Sequence, residues 1–222
     1  MATGYALFDF DGTIISGDTL FYFCRYAHKN KLCTTKQLMN GLRAGIRFLM
    51  GRITDKESKE IALSFLIGKS EKEITEYAEQ FCEEVLLKKQ FSSIDAILKK
   101  HRDEGRKIIL ISASPQILLN PVLKRLGLNA IIATDIALDE NGCYLGKMGD
   151  NCKGIQKPLR LAAYLSSVGD TMEYSDSYAY GDSESDFPMM KLCKYRIMVN
   201  PQKKLLKEQH NGEDAQVVHW KI

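Results

Sequence analysis

The sequence holds no apolar run that approaches the roughly 20 residues a membrane-spanning helix needs, so no membrane partner is expected. Its first residues, Met1 to Phe10, carry no basic region, no long hydrophobic segment and no small-residue cleavage site. They lead straight into an apolar strand pattern, which argues against a secretory leader and makes a cytoplasmic protein the expectation. Proline is scarce, at 5 residues, while charged residues reach 27%, which excludes a fibrous or disordered chain. A net charge of +3 is too slight to call for nucleic acid. The six cysteines (Cys24, Cys33, Cys82, Cys143, Cys152 and Cys193) form no Cys-x-x-Cys pair. Neither a zinc site nor a disulfide framework is expected from them, and they read as reduced residues that fill space.

What is present is a chain of 222 residues with 45% hydrophobic content, enough for one sizeable core carrying an insertion. Short apolar runs end abruptly at polar residues: Tyr5 to Phe10, Lys107 to Ser112 and Ser177 to Asp182, with Ala130 to Thr134 and Tyr195 to Asn200 resembling them. Unbroken runs of this kind suggest strands buried on both faces. Helical patterns lie between them, so a doubly wound, mostly parallel α/β sheet is predicted. Ser114-Pro115 and Asn200-Pro201 each read as a helix cap followed by proline at the first helical position.

Residues 18–90 differ, with helical segments and no clear strand. Thr54-x-x-Glu57 and Ser70-x-x-Glu73 are capping boxes that open two helices. Beyond Ser70 the residues Ile74, Tyr77, Ala78, Phe81, Cys82, Val85 and Leu86 repeat at i, i+3, i+4, i+7, the mark of a helix with one buried face. The expected organisation is therefore a core of residues 1–17 and 91–222 and a helical cap of residues 18–90. Thr134 to Met148, with Asn141-Gly142 as turn, predicts a hairpin near the sheet edge.

Chemistry concentrates where strands end. In Asp9-Phe10-Asp11-Gly12-Thr13, two carboxylates two residues apart on a strand point along one face. Unpaired they would repel each other, so such a pair recruits a cation, and hard oxygen ligands suit magnesium. Gly181 to Asp186 closes another apolar strand, and Asp182 could supply a third carboxylate to the same metal. Ser112 offers a hydroxyl and a backbone N–H beside a helix start, a ready phosphate site. Lys157 and Lys153 are both candidates to neutralise phosphate and crowded aspartates.

These four pieces, in this order, resemble the haloacid dehalogenase superfamily of phosphohydrolases. The helical insertion after the first motif resembles its phosphoserine-phosphatase-like branch. There a lysine tends to follow a Cys-x-Gly element, and Cys152-Lys153-Gly154 favours Lys157 over Lys153. The resemblance implies that Asp9 attacks phosphorus and forms an aspartyl-phosphate, with Asp11 as acid and then base. It implies magnesium on Asp9, Asp11 and Asp182, and phosphoryl oxygens held by Ser112, Ala113 and Lys157. Asp186 would orient Lys157 or the metal shell.

The expected substrate is a small phosphorylated metabolite other than phosphoserine. This chain has Gly12 where those enzymes carry Ser, Asp18 where they carry Glu, and Ser112-Ala113-Ser114 where they carry Ser-Gly-Gly. Asp18 could still contact the leaving group. Between Thr19 and Thr54 stand Arg25, Lys29, Lys31, Lys36, Arg43, Arg47 and Arg52, with no acid. Arg43 and Arg47 share one helix face, which reads either as a solvated basic surface balanced by the acidic segment Asp55 to Glu84 or as the place where one of them binds a second anionic group of the substrate. Two other functions fit the same residues: phosphoryl transfer to an acceptor, as in a mutase, and a non-catalytic binding protein using the basic cap. The chain is expected to be a monomer or small homo-oligomer.

Overall fold

The computed structural model describes residues 3–210 and 215–222; Met1 and Ala2, the first residues of the segment read against a leader, lie outside them. Six strands form one sheet: β1 (Tyr5–Phe8), β2 (Lys107–Pro115), β3 (Ala130–Thr134), β6 (Tyr178–Gly181), β7 (Tyr195–Val199) and β8 (Gln216–Val218). Their order is β3-β2-β1-β6-β7-β8, and every pairing is parallel. β4 (Ile136–Leu138) and β5 (Tyr144–Met148) make the separate antiparallel hairpin that Asn141-Gly142 predicts. Gly142 provides the positive φ of +74° its turn requires.

The unbroken apolar runs have a plain cause. Successive side chains along β1 and β2 enter opposite cores: Ala6, Phe8, Ile108 and Leu110 join one, and Tyr5, Leu7, Ile109 and Ile111 the other. Both faces are covered, so neither can be polar. On one face the rings of Phe8 and Tyr180 stack 4.2 Å apart.

Between β1 and β2 the chain is helical: α1 (Thr19–Lys29), α2 (Thr35–Leu49), α3 (Asp55–Ala62) and α4 (Glu71–Phe81), followed by α5 (Ile94–Asp103). The boxes at Thr54 and Ser70 are formed, and Thr34 with Gln37 makes a third that opens α2. The apolar stripe of α4 buries Ile74, Ala78 and Phe81, then continues through a wide turn at Cys82–Leu86. The hairpin ties the helical stretch to the core region, because Tyr144 N–H donates to the Lys69 carbonyl at 2.9 Å and Glu71 N–H to that of Gly142 at 2.8 Å.

The remaining crossings use α6 (Gln116–Arg125), α7 (Gln156–Ser167), α8 (Phe187–Met190) and α9 (Lys203–His210). Neither proline cap forms as read. Ser114 and Pro115 belong to β2, and α6 begins at Gln116 with no side-chain cap. Asn200 has φ +41°, and its amide exchanges hydrogen bonds with the Trp220 backbone at 3.0 and 3.1 Å instead. No helix among the described residues is long and apolar enough to cross a membrane.

Candidate active site

Sheet order decides where a ligand can sit. From β1 the chain builds outward first through β2 and β3, then through β6 to β8 on the other side, so the reversal lies at β1. Crevices beyond the carboxyl ends of strands at such a reversal are where open α/β sheets bind ligands. Asp9 follows β1, Ser112 lies near the end of β2 and Asp182 follows β6. These residues line one cavity of about 620 Å³, together with Asp11, Ala113, Lys157, Asp186 and Asp18.

Lys157 sits at its floor, only 1% exposed. Its Nζ donates to Asp9 Oδ1 at 2.6 Å, Asp186 Oδ1 at 2.6 Å and the Ile111 carbonyl at 2.8 Å, which uses all three ammonium protons. Burial works against the charge on Lys157, but the fields of Asp186 and Asp9 outweigh it and hold its pKa above the ordinary lysine value. Its rival Lys153 pairs at 3.2 Å with Asp55, at the rim of the same cavity.

Asp9, Asp182 and Asp186 bring their carboxylate oxygens within 4.8 Å of one another. With Lys157 as counter-charge, the cluster keeps two negative charges in excess when ionised. Burial, reinforced by Asp186, pushes Asp9 well above the usual carboxylate range and Asp182 up to about 6. A divalent cation fits this donor set in both charge and oxygen chemistry. Gly12 allows the close approach: it has φ +81°, and a Cβ there would stand 2.5 Å from the Asp182 carboxylate. Gln202 steadies Asp182, donating from Nε2 to Oδ2 at 2.8 Å.

The carboxylate of Asp11, the other ligand expected, is not one of the three that cluster. Oδ1 accepts from Thr19 N–H at 2.7 Å and Thr19 Oγ1 at 2.5 Å, and Oδ2 from Ser114 Oγ at 2.5 Å. Burial, then the field of Asp18, raises its pKa to about 6 against these donors. Asp18 itself caps α1 by accepting from Phe21 N–H at 2.7 Å. Ser112 Oγ accepts from Ser114 N–H at 3.1 Å.

Arg43 and Arg47 do not reach the cavity: both are exposed on α2 and neither lines it. The helical stretch between β1 and β2 instead contributes Lys59, on α3. Its Nζ donates to the Ala113 carbonyl at 2.9 Å and to Asn151 Oδ1 at 3.1 Å, while Asp55 stands 3.4 Å away. Sequence reasoning passed over Lys59, Ser114, Thr19 and Gln202. Lys59 was hidden among the charges of α3 and Ser114 looked like a helix cap, while Thr19 and Gln202 carried no signal of their own.

Residues 6–191 match the haloacid dehalogenase-like hydrolase family, and the chain belongs to it. Among curated proteins it is 26% identical over 208 residues to phosphoserine phosphatase SerB1 of Mycobacterium tuberculosis, covering 91% of this chain and 67% of that one. It is also 26% identical over 206 residues to histidinol-phosphatase of Neisseria meningitidis, covering 91% and 93%. A protein of unknown function from Bordetella pertussis shares the fold with a TM-score of 0.87 at 23% identity, covering 98% and 99%. A phosphoserine phosphatase solved as a phospho-aspartyl intermediate analogue gives 0.67 at 20%, covering 98% and 94%. These findings identify the phosphoserine-phosphatase-like branch of the family and a phosphatase, so the reading as a non-catalytic binding protein falls away.

Proposed function

We propose that this phosphatase is magnesium-dependent and hydrolyses a small phosphate monoester through an aspartyl-phosphate on Asp9. The observation that carries the proposal is Lys157, buried and shared at 2.6 Å by Asp9 and Asp186, with Asp182 completing a carboxylate cluster. A buried aspartate anchored by a lysine beside surplus negative charge suits a nucleophile that works with a cation.

Asp9 attacks phosphorus as the bond to the leaving oxygen breaks. Asp11, with its pKa raised to about 6, exists in both forms near neutral pH. It gives its proton to the leaving alcohol and then takes one from the water that cleaves the aspartyl-phosphate, releasing phosphate and restoring Asp9. Ser114 and Thr19 hold Asp11 in place for both transfers. Ser112 and the main chain at Ala113 bind the phosphoryl oxygens, while Lys157, whose protons go to Asp9, Asp186 and the Ile111 carbonyl, balances their charge through its field and is fixed by Asp186. Held by Asp9, Asp182 and Asp186, magnesium would neutralise the charge that otherwise keeps phosphate from a carboxylate.

The relatives named for phosphoserine and histidinol phosphate support a monoester of a small alcohol. Six free cysteines, five of them buried, support a cytoplasmic setting. The test is phosphate release from a panel of monoesters, with and without magnesium, for wild type and Asp9→Asn. Magnesium-dependent release by wild type alone supports the proposal. Equal release by the variant overturns the role of Asp9.

A further inference from the structure

Beside the catalytic cavity lies a second one of about 420 Å³, walled by α1, α2 and α3. The two share Asp18, Leu20, Phe48, Asp55 and Lys59, so they meet along a common wall. Beyond that junction the second cavity is apolar, lined by Leu38, Ile46, Leu49 and Phe65 with the small residues Gly41 and Gly45. Its volume falls within the roughly 300–1,000 Å³ of small-molecule sites.

α2 explains why the cavity exists. Leu38, Leu42, Ile46 and Leu49 fall on one stripe of this helix, which normally packs into a core. Here only Ala44 of its fifteen residues is buried, and Ile46 and Leu49 remain 57% and 83% exposed. A Cβ on Gly45 would meet nothing within 4 Å, whereas one on Gly41 would stand 3.3 Å from Ala62 Cα, so Gly41 lets α2 approach α3 closely.

At the junction Asp55 and Lys59 are engaged with each other, while Asp18, exposed, bonds through one carboxylate oxygen. Asp55 also pairs with Lys153, and the Asp18 bond caps α1. A compact, hydrophilic leaving group such as serine would leave the apolar walls wet, whereas an aliphatic one would dry them.

We propose that this cavity receives the leaving group, and that the substrate is the phosphate monoester of an aliphatic alcohol. The inference rests on the phosphatase reading above and specifies its substrate. Phosphate stays over Asp9 and Lys157, the carbon chain runs past Leu20 and Phe48, and the products are phosphate and the free alcohol.

The experiment compares straight-chain alkyl phosphates from ethyl to octyl, with phosphoserine alongside, on wild type and Gly45→Leu. Leucine is compatible with the helix, and Gly45 lines the cavity with open space around the position of a Cβ. Calorimetry on Asp9→Asn measures ethyl and octyl phosphate binding without turnover. The expected result is a kcat/KM that rises roughly fourfold per added methylene, carried mainly by KM. Gly45→Leu should cut the octyl-to-ethyl ratio at least about tenfold. A flat series, a rise unchanged in Gly45→Leu, or phosphoserine preferred over octyl phosphate overturns the proposal. If wild type hydrolyses no ester, the phosphatase reading fails by itself and binding decides. Tighter octyl than ethyl phosphate then supports the cavity's role, and equal affinities overturn it.

Discussion

Ser114 Oγ donates to Asp11 Oδ2 at 2.5 Å, across 103 residues of sequence. This bond joins the end of β2 to the loop after β1 and fixes the direction of the proposed acid and base. A hydrogen bond to a charged group is worth about 1.5–3 kcal/mol. Ser114→Ala should therefore lower kcat by about tenfold to a hundredfold and leave the fold intact, as circular dichroism would check. An unchanged kcat would show that Thr19 alone positions Asp11.

The acidic cluster predicts metal-linked stability, separate from turnover. Ligand that binds only the folded state stabilises it by about 2.7 kcal/mol at a hundred times its dissociation constant. For a chain of this size that is roughly 5–10 °C in Tm. Magnesium should raise the Tm of wild type by this order and lose most of the effect in Asp182→Asn, read by calorimetry. Equal shifts in both proteins would remove Asp182 from the cation site.

His101, which does not line the catalytic cavity, makes a third prediction. It is 1% exposed, with Nε2 at 2.9 Å from the Tyr180 hydroxyl and Arg106 beside Nδ1 at 3.4 Å. Burial, then Arg106, pushes its pKa down to about 4. The unfolded chain, with an ordinary value near 6.5, binds the proton first as pH falls. Stability is complete above about 6.5 and is lost as pH drops toward about 4. From pH 7.5 to pH 5 the His101 contribution should fall by about 2 kcal/mol. Urea midpoints for wild type and His101→Gln at both pH values test this, and the variant should lack that part of the decline.

The core was legible in sequence because strands covered on both faces must be apolar throughout. β1, β2 and β6 could therefore be recognised, together with the polar residues at their ends. The sites of Asp9, Ser112, Lys157, Asp182 and Asp186 followed from those ends and from the order of the motifs. Side-chain direction did not. Nothing in the spacing of Asp9 and Asp11 foretold that the Asp11 carboxylate accepts from Thr19 and Ser114. Ser114-Pro115 satisfied the rule for a helix start, yet the strand continues through both residues and the hydroxyl turns to Asp11. The helices between β1 and β2 were harder still, because spacing along α2 placed Arg43 and Arg47 on one face without saying where that face points. The lysine that reaches the site, Lys59, finds partners 54 and 92 residues away in sequence.

The most direct test of the account is to trap the covalent intermediate on Asp9. Wild type mixed with its best monoester, labelled on phosphorus, is quenched in acid during turnover and digested. The account predicts an acid-stable, hydroxylamine-sensitive label on the peptide that contains Asp9, absent from Asp9→Asn. Label on another residue, or turnover in wild type with no labelled protein at any quench time, would contradict it.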